Sequence, residues 1–376
     1  MVTRKVMSLL CLLMLAVMVG SMQSLAEANG KDIDARTEEI LNSMTNEQKV
    51  GQLFMVGLEG TELLPKEKEL IESKHVGGII IYDRNMKNKI HVREFMKKVQ
   101  DTSLENKQFG NLPLFVAIDE EGGKVSRMAD KLTPPPAQED VALKGGPELA
   151  KKYAQDIAEE LKYMGVNVNY APVADVGRDL VKRRDYSTDP HVVTQYVDQA
   201  VSGYEAENLI CCIKHFPGIG RGKADSHKGF VNVSATWDEL QATDLMPFKA
   251  TIKNHDNENF MVMVAHVTYS NIDPDTPASL SKYFMTDVLR NQLGYTGIVV
   301  SDELNMGAIA KYYDYDTVGL MSFQAGADML IICHEYDRID KVYNSLLRGL
   351  KTDAITQERL DQSVRRIIKA KLKIAE

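Results

Sequence analysis

Leu209-Ile210-Cys211-Cys212-Ile213-Lys214-His215-Phe216-Pro217-Gly218 is the stretch that decides the fold. Five apolar residues stand in a row, without the alternation of a half-buried strand. That pattern suits a parallel strand covered on both faces. The run then turns abruptly into a cation and an imidazole, which have no place in such a core. A strand whose far end carries chemistry belongs to a fold that gathers strand ends at one face.

Seven more apolar runs share this character: Gly51–Val56, Gly77–Tyr82, Leu114–Ile118, Val166–Tyr170, Met261–Ala265, Gly297–Val300 and Met329–Ile332. The stretches between them are helical in period. Glu148 to Met164 spaces Leu149, Tyr153, Ile157 and Leu161 four apart, and Asp238 to Ile252, Leu280 to Leu293 and Gln357 to Ile374 are similar. No linker, low-complexity tract or repeat interrupts residues 35–376. Eight strand–helix alternations in one uninterrupted chain predict a single-domain α/β fold, a closed (β/α)8 TIM-type barrel. The alternative is an open doubly wound sheet of the kind solute-binding proteins use.

The first residues do not read as part of that fold. Arg4 and Lys5 precede an apolar run, Val6 to Val19, which ends at Ser24-Leu25-Ala26. A positive start, a short apolar stretch and small residues before the cut predict a signal peptide over residues 1–26 and an exported protein. An uncleaved membrane anchor is the alternative, although the run falls short of the ~20 apolar residues of a spanning helix. After cleavage no membrane association is expected. The formal net charge of −8 and the lack of a basic stripe argue against nucleic acid as a partner. Cys211, Cys212 and Cys333 read as buried small hydrophobes, not a disulfide framework.

Polar residues cluster where the runs end. Run three leads into Asp119-Glu120-Glu121-Gly122-Gly123-Lys124. Run four ends in Ala171-Pro172-Val173-Ala174-Asp175, with Arg184 soon after. Run six leads to His266, run seven to Ser301-Asp302-Glu303, and run eight to Cys333-His334-Glu335. A lone strand-end carboxylate is as readily a helix cap, and Asp175 and Glu303 stay open to that role. Six consecutive strands delivering such groups to one rim predict an active site there.

The eight histidines show no metal-ligand spacing, and neither a phosphate-binding P-loop nor a Gly-x-Ser-x-Gly elbow is present. Carboxylates with histidine suit acid–base and covalent chemistry on a neutral, hydroxyl-rich substrate, with no metal and no organic cofactor. Between Lys214 and Trp237 runs a long glycine-bearing connection that holds Asp225-Ser226-His227. Such a loop is expected to be a mobile catalytic lid after strand five. A loop histidine capped by a nearby carboxylate, with no catalytic duty, is the plain alternative.

Taken together, these residues resemble glycoside hydrolase family 3, in its β-N-acetylhexosaminidase branch. Lys214-His215-Phe216-Pro217-Gly218, followed by Asp225-Ser226-His227, is like the family's K-H-F-P-G-H-G and D-S-H. Leu293 to Met306 resembles L-G-F-x-G-V-V-x-[ST]-D-[DS]-L-x-M, and Asp119 to Arg127 resembles D-Q-E-G-G-R-V-x-R. The resemblance implies that Asp302 is a nucleophile, His227 the acid/base and Asp225 its partner. It implies that Asp119, Arg127, Arg184, Lys214 and His215 hold the sugar. The cations Lys214, Arg184 and Arg127 are then expected beside Asp302. The implied substrate is terminal β-linked GlcNAc on a muropeptide or chito-oligosaccharide, cleaved with retention by a monomer or weak oligomer. A β-glucosidase or β-xylosidase of the same family, transfer to phosphate, and a silent sugar-binding barrel are the competing functions. Ile219 stands where the family usually has His, Arg221-Gly222 replaces Asp-Thr, Lys124 replaces Arg, Glu120 replaces Gln, and Asp185 replaces Ser. Aglycone preference or rate is therefore expected to differ.

Overall fold

The computed structural model describes residues 32–105, 111–127, 134–177, 180–222 and 231–375. Ten strands occur among them: β1 (Phe54–Gly57), β2 (Gly78–Ile80), β3 (Phe115–Ile118), β4 (Val168–Asn169), β5 (Ile210–Phe216), β6 (Val231–Val233), β7 (Phe260–Val264), β8 (Val267–Tyr269), β9 (Ile298–Ser301) and β10 (Leu330–Ile332). Eight of these form one parallel sheet in the order β10-β1-β2-β3-β4-β5-β7-β9. The open edges meet through a parallel bridge between Val300 and Met329. Met329 N–H donates to the Val299 carbonyl at 3.1 Å, and Ser301 N–H to that of Met329 at 3.0 Å. The sheet is thereby a nearly closed eight-strand barrel wrapped by helices.

Sequence explains the closure. Every residue of the eight barrel strands is buried, because side chains fill the barrel on one face and meet helices on the other. Phe54, Phe115, Phe216 and Phe260 are among the largest fully buried side chains. Gly78 on β2 makes room for Phe115: a Cβ at Gly78 would lie 2.7 Å from that of Phe115. The last helix, Gln357–Ala375, seals its flank with Leu360, Val364, Ile367 and Ile368. Among the described residues, no helix is long and apolar enough to cross a membrane. Cys211, Cys212 and Cys333 are buried and free.

Three local details depart from expectation. Gly51 and Gln52 close a helix, Asn46–Gln52, which starts at a Thr45–Gln48 capping box; the apolar run alone hides that cap. The helix expected over Asp238–Ile252 is two, Trp237–Ala242 and Leu245–Asn254. Pro247 has no N–H to give the Thr243 carbonyl, so one helix cannot pass through. The stretch from Leu280 to Leu293 becomes a wide π-type helix, Tyr283–Gln292, with Leu293 N–H reaching the Val288 carbonyl. Additionally, β6 and β8 pair into a small sheet of their own. Three residues each is too short for periodicity to reveal.

Candidate active site

The strands deliver their polar residues to one end of the barrel. From the end of β3 come Asp119, Glu120 and Glu121, and from β5 come Lys214 and His215. Lys214 is 2 % exposed, yet its ammonium donates to Asp119 Oδ1 at 2.8 Å and pairs with Glu121 Oε1 at 2.6 Å. Arg184 meets the same Glu121 with two parallel bonds of 2.8 Å. Arg127 donates to Asp119 Oδ2 at 3.2 Å, and its guanidinium lies 5.0 Å from the ring centre of Tyr82. Five charged groups thus form one continuous chain: Arg127–Asp119–Lys214–Glu121–Arg184.

Charge pairing overrides burial in this chain. Burial alone would raise the Asp119 and Glu121 carboxyls. Lys214 with Arg127 outweighs it at Asp119, and Lys214 with Arg184 at Glu121, so both acids are held below the usual range. Burial would likewise lower Lys214, but Asp119 and Glu121 raise it. All three members of the buried layer are therefore charged near neutrality. Asp119, Arg127 and Arg184 retain partial exposure, so the network offers donors and acceptors to whatever enters the mouth.

His215 is oriented from below. Asp175, fully buried, takes His215 Nδ1 at 2.8 Å with one oxygen, and with the other accepts the main-chain N–H of Ile219 at 2.9 Å. Arg184 Nη2 lies 3.4 Å from His215 Nε2. An arginine can only donate, so Nε2 accepts and the proton sits on Nδ1, facing Asp175. Asp175 is thus an orienting group and not a helix cap.

Asp302 follows β9 at the same rim and is partly exposed. Its main-chain N–H donates to Val264 O at 3.0 Å, and its Oδ1 accepts from Glu303 N–H at 2.8 Å. Two neighbours fix this turn. Buried His266 donates from Nε2 to the Glu303 carbonyl at 2.9 Å and accepts from Ser279 Oγ at 2.6 Å. Burial lowers its pKa, in keeping with a neutral, structural imidazole. The Glu303 carboxyl accepts the N–H groups of Asn305 and Cys333, while Tyr82 donates to Cys333 Sγ at 2.8 Å. Burial pushes Glu303 up to about 7.

The structure brings Asp119, Arg127, Arg184, Lys214 and His215 into one connected group, with Asp302 on the same rim. Asp225 and His227 lie outside the described residues. The three cations expected beside Asp302 make their described ion pairs with Asp119, Glu121 and Asp83 instead. Sequence reasoning left Asp175 open between a helix cap and the site, and did not single out Glu121 or Tyr82. A two-residue offset from Asp119 at a strand end was the available signal for Glu121, since alternate residues share a face. Among the described residues, no group of His, Cys, Asp or Glu side chains is arranged to hold a metal ion.

A barrel with carboxylates and imidazole on its C-terminal rim defines a class of enzyme, and comparison with known proteins narrows the class. Residues 45–370 match the glycosyl hydrolase family 3 N terminal domain, and the chain belongs to that family. It is 32% identical to β-hexosaminidase A of Pseudoalteromonas piscicida, a match covering 84% of this chain and 56% of that protein. It is 34% identical to a β-hexosaminidase of Shewanella frigidimarina, covering 75% of this chain and 82% of that one. Among solved structures, the family 3 β-N-acetylglucosaminidase of Paenibacillus sp. str. FPU-7 superposes with a TM-score of 0.83 at 34% identity, covering 88% of this chain and 63% of that one. A β-N-acetylhexosaminidase of Beutenbergia cavernae gives 0.80 at 26% identity, covering 87% and 98%. The chain therefore spans little more than half the length of some relatives and nearly all of others.

Proposed function

We propose that this chain is an exported, retaining β-N-acetylglucosaminidase that removes terminal β-linked GlcNAc, with peptidoglycan fragments as the source. The observation that carries it is the Arg127–Asp119–Lys214–Glu121–Arg184 chain with His215, on the same barrel rim as the strand-end Asp302. Neutral sugars need many fixed donors and acceptors, and this network of three cations and two carboxylates supplies them. The relatives named above carry hexosaminidase and N-acetylglucosaminidase names, which supports the choice of sugar. The leader-like residues 1–26 support export.

In this mechanism an Asp302 carboxylate oxygen attacks the anomeric carbon as the bond to the leaving oxygen breaks. His227 gives its proton to that oxygen, and Asp225 steadies the imidazolium. Water then attacks the same carbon, His227 takes back a proton, and Asp302 leaves as carboxylate. Each displacement inverts the anomeric carbon once, so the two together retain its configuration. Asp119, Arg127, Arg184, Lys214 and His215 hold the sugar hydroxyls. The test compares an aryl β-N-acetylglucosaminide with the matching aryl β-glucoside. Turnover of the first with little of the second is expected; preference for the glucoside, or turnover of neither, would overturn the proposal.

A further inference from the structure

Glu120 has no part in the proposed chemistry, yet it is almost completely buried. Its neighbours Asp119 and Glu121 turn toward Lys214, whereas Glu120 turns the other way, under the loop that carries Arg127. Oε2 accepts the main-chain N–H of Arg127 at 2.9 Å. Oε1 has no hydrogen-bond partner among the described residues. Beside it lies a narrow cleft of about 20 Å³, room for about one water, lined by Met86, Ile118, Ile157 and Leu161 with Ser126 and Glu160. An ionised carboxylate in such a seat is poorly solvated; a neutral acid is tolerated.

We propose that Glu120 is a positioning residue for Arg127, its buried carboxyl holding the Arg127 main-chain N–H so that the guanidinium stays on Asp119. The proposal rests on the sugar-binding role given to Arg127 above. When the Glu120 proton is lost, its oxygen becomes a stronger acceptor for the Arg127 N–H, so the anchor tightens and sugar binding with it.

The surroundings agree. Burial is the largest influence on Glu120 and pushes it up to about 7, against the Ser126 hydroxyl and Arg127, which favour the charged form. The other charged or titratable groups around it are Glu160, from the helix Pro147–Tyr163, and Tyr204, from the helix Pro190–Ala206. Glu160 is itself paired with Lys89 at 2.9 Å. Among these groups the only cation facing Glu120 is Arg127, already engaged with Asp119 and Asp83.

The sign follows from linkage. An acid whose folded value lies above its ordinary 4.5 makes the fold less stable as pH rises from about 4.5 through about 7. Glu120→Gln keeps an acceptor for the Arg127 N–H and cannot ionise; Glu120→Ala removes the acceptor. The experiment measures kcat and KM on an aryl β-N-acetylglucosaminide from acid to alkaline pH for wild type and both variants, and records their melting temperatures across the same range. For wild type, KM should fall about threefold to tenfold as pH rises across neutrality, the gain from turning a neutral hydrogen bond into a charge-assisted one. The E120Q value should stay flat, and E120A should be raised throughout. The melting temperature of E120Q should gain on wild type as pH rises. Parallel KM profiles for wild type and E120Q would overturn the proposal. Absence of turnover in all three would refute the assigned activity instead. The melting comparison would then decide alone, an unchanging difference counting against Glu120.

Discussion

Lys214 and Glu121 meet at 2.6 Å with side-chain exposures of 2 % and 1 %. Two opposite charges so deeply buried do little for stability as a pair, but each is costly without the other. Lys214→Met should therefore destabilise the fold by about 3–5 kcal/mol, by leaving Glu121 dependent on Arg184 alone. Pairing it with Glu121→Gln should restore part of that loss and none of the turnover. Chemical denaturation of wild type and the two variants measures the first effect. Equal stability of K214M and wild type would show the pair to be solvated.

At the opposite end of the barrel, Asp328 is fully buried among Arg290, Arg359 and Arg366. Burial would raise its carboxyl, but the arginines hold it at about 2. Its Oδ2 also accepts the Val299 N–H at 2.9 Å, which ties the start of β9 to β10 and the last helix. Asp328→Asn should cost several kcal/mol, roughly the 3–5 expected for a broken buried pair. Activity per folded molecule should be unaffected, since the clamp is remote from the rim. A variant with normal melting would remove the clamp from the closure of the barrel.

Lys371 has no carboxylate in its described contacts. Its ammonium donates to Gln52 Oε1 at 2.7 Å and lies 5.2 Å from the Phe115 ring centre. Burial drives it from 10.5 down to about 7. The unfolded chain binds this proton more tightly, so stability falls as pH drops from about 10.5 to about 7 and levels below that. Lys371→Met should thus be the more stable protein near neutrality, by roughly a few kcal/mol at most. Its advantage should shrink toward alkaline pH. A difference independent of pH would mean that Lys371 keeps its charge in the fold.

For the loop beyond β5, the expectation concerns leaving groups. General acid catalysis is typically worth ~10²–10⁴ in rate, and most when the leaving oxygen is a poor one. His227→Ala should slow a natural disaccharide severely and the first step of a nitrophenyl substrate far less. Loss of the base for the second step should leave a burst followed by slow turnover. Equal losses on both substrates without a burst would make His227 a positioning residue only.

The barrel was legible in the sequence because a strand covered on both faces leaves an unalternated apolar run. All eight such runs, from the one ending at Val56 to the one ending at Ile332, overlap a barrel strand. Helix boundaries were less legible. The break before Leu245 depends on one missing N–H at Pro247, and β6 and β8 are too short to leave a period. At the rim, the strand-end residues announced the site but not its wiring. Composition cannot say that Asp119 and Glu121 face Lys214 while Glu120 faces the other way. Nor can it say that Glu303 spends its carboxyl on the Cys333 and Asn305 amides. Those facts need the register of β3 and the meeting of β9 with β10.

The central claim is that Asp302 forms the covalent bond to the sugar. Its neighbour Glu303 is the obvious rival, being adjacent in sequence and also acidic, but it is turned inward toward Cys333. Inactivating the protein with a fluorinated sugar and mapping the labelled peptide by mass spectrometry separates the two. The label should sit on Asp302, and Asp302→Asn should keep the melting temperature while losing both labelling and nearly all turnover. A label on Glu303, or turnover surviving in Asp302→Asn, would contradict the account.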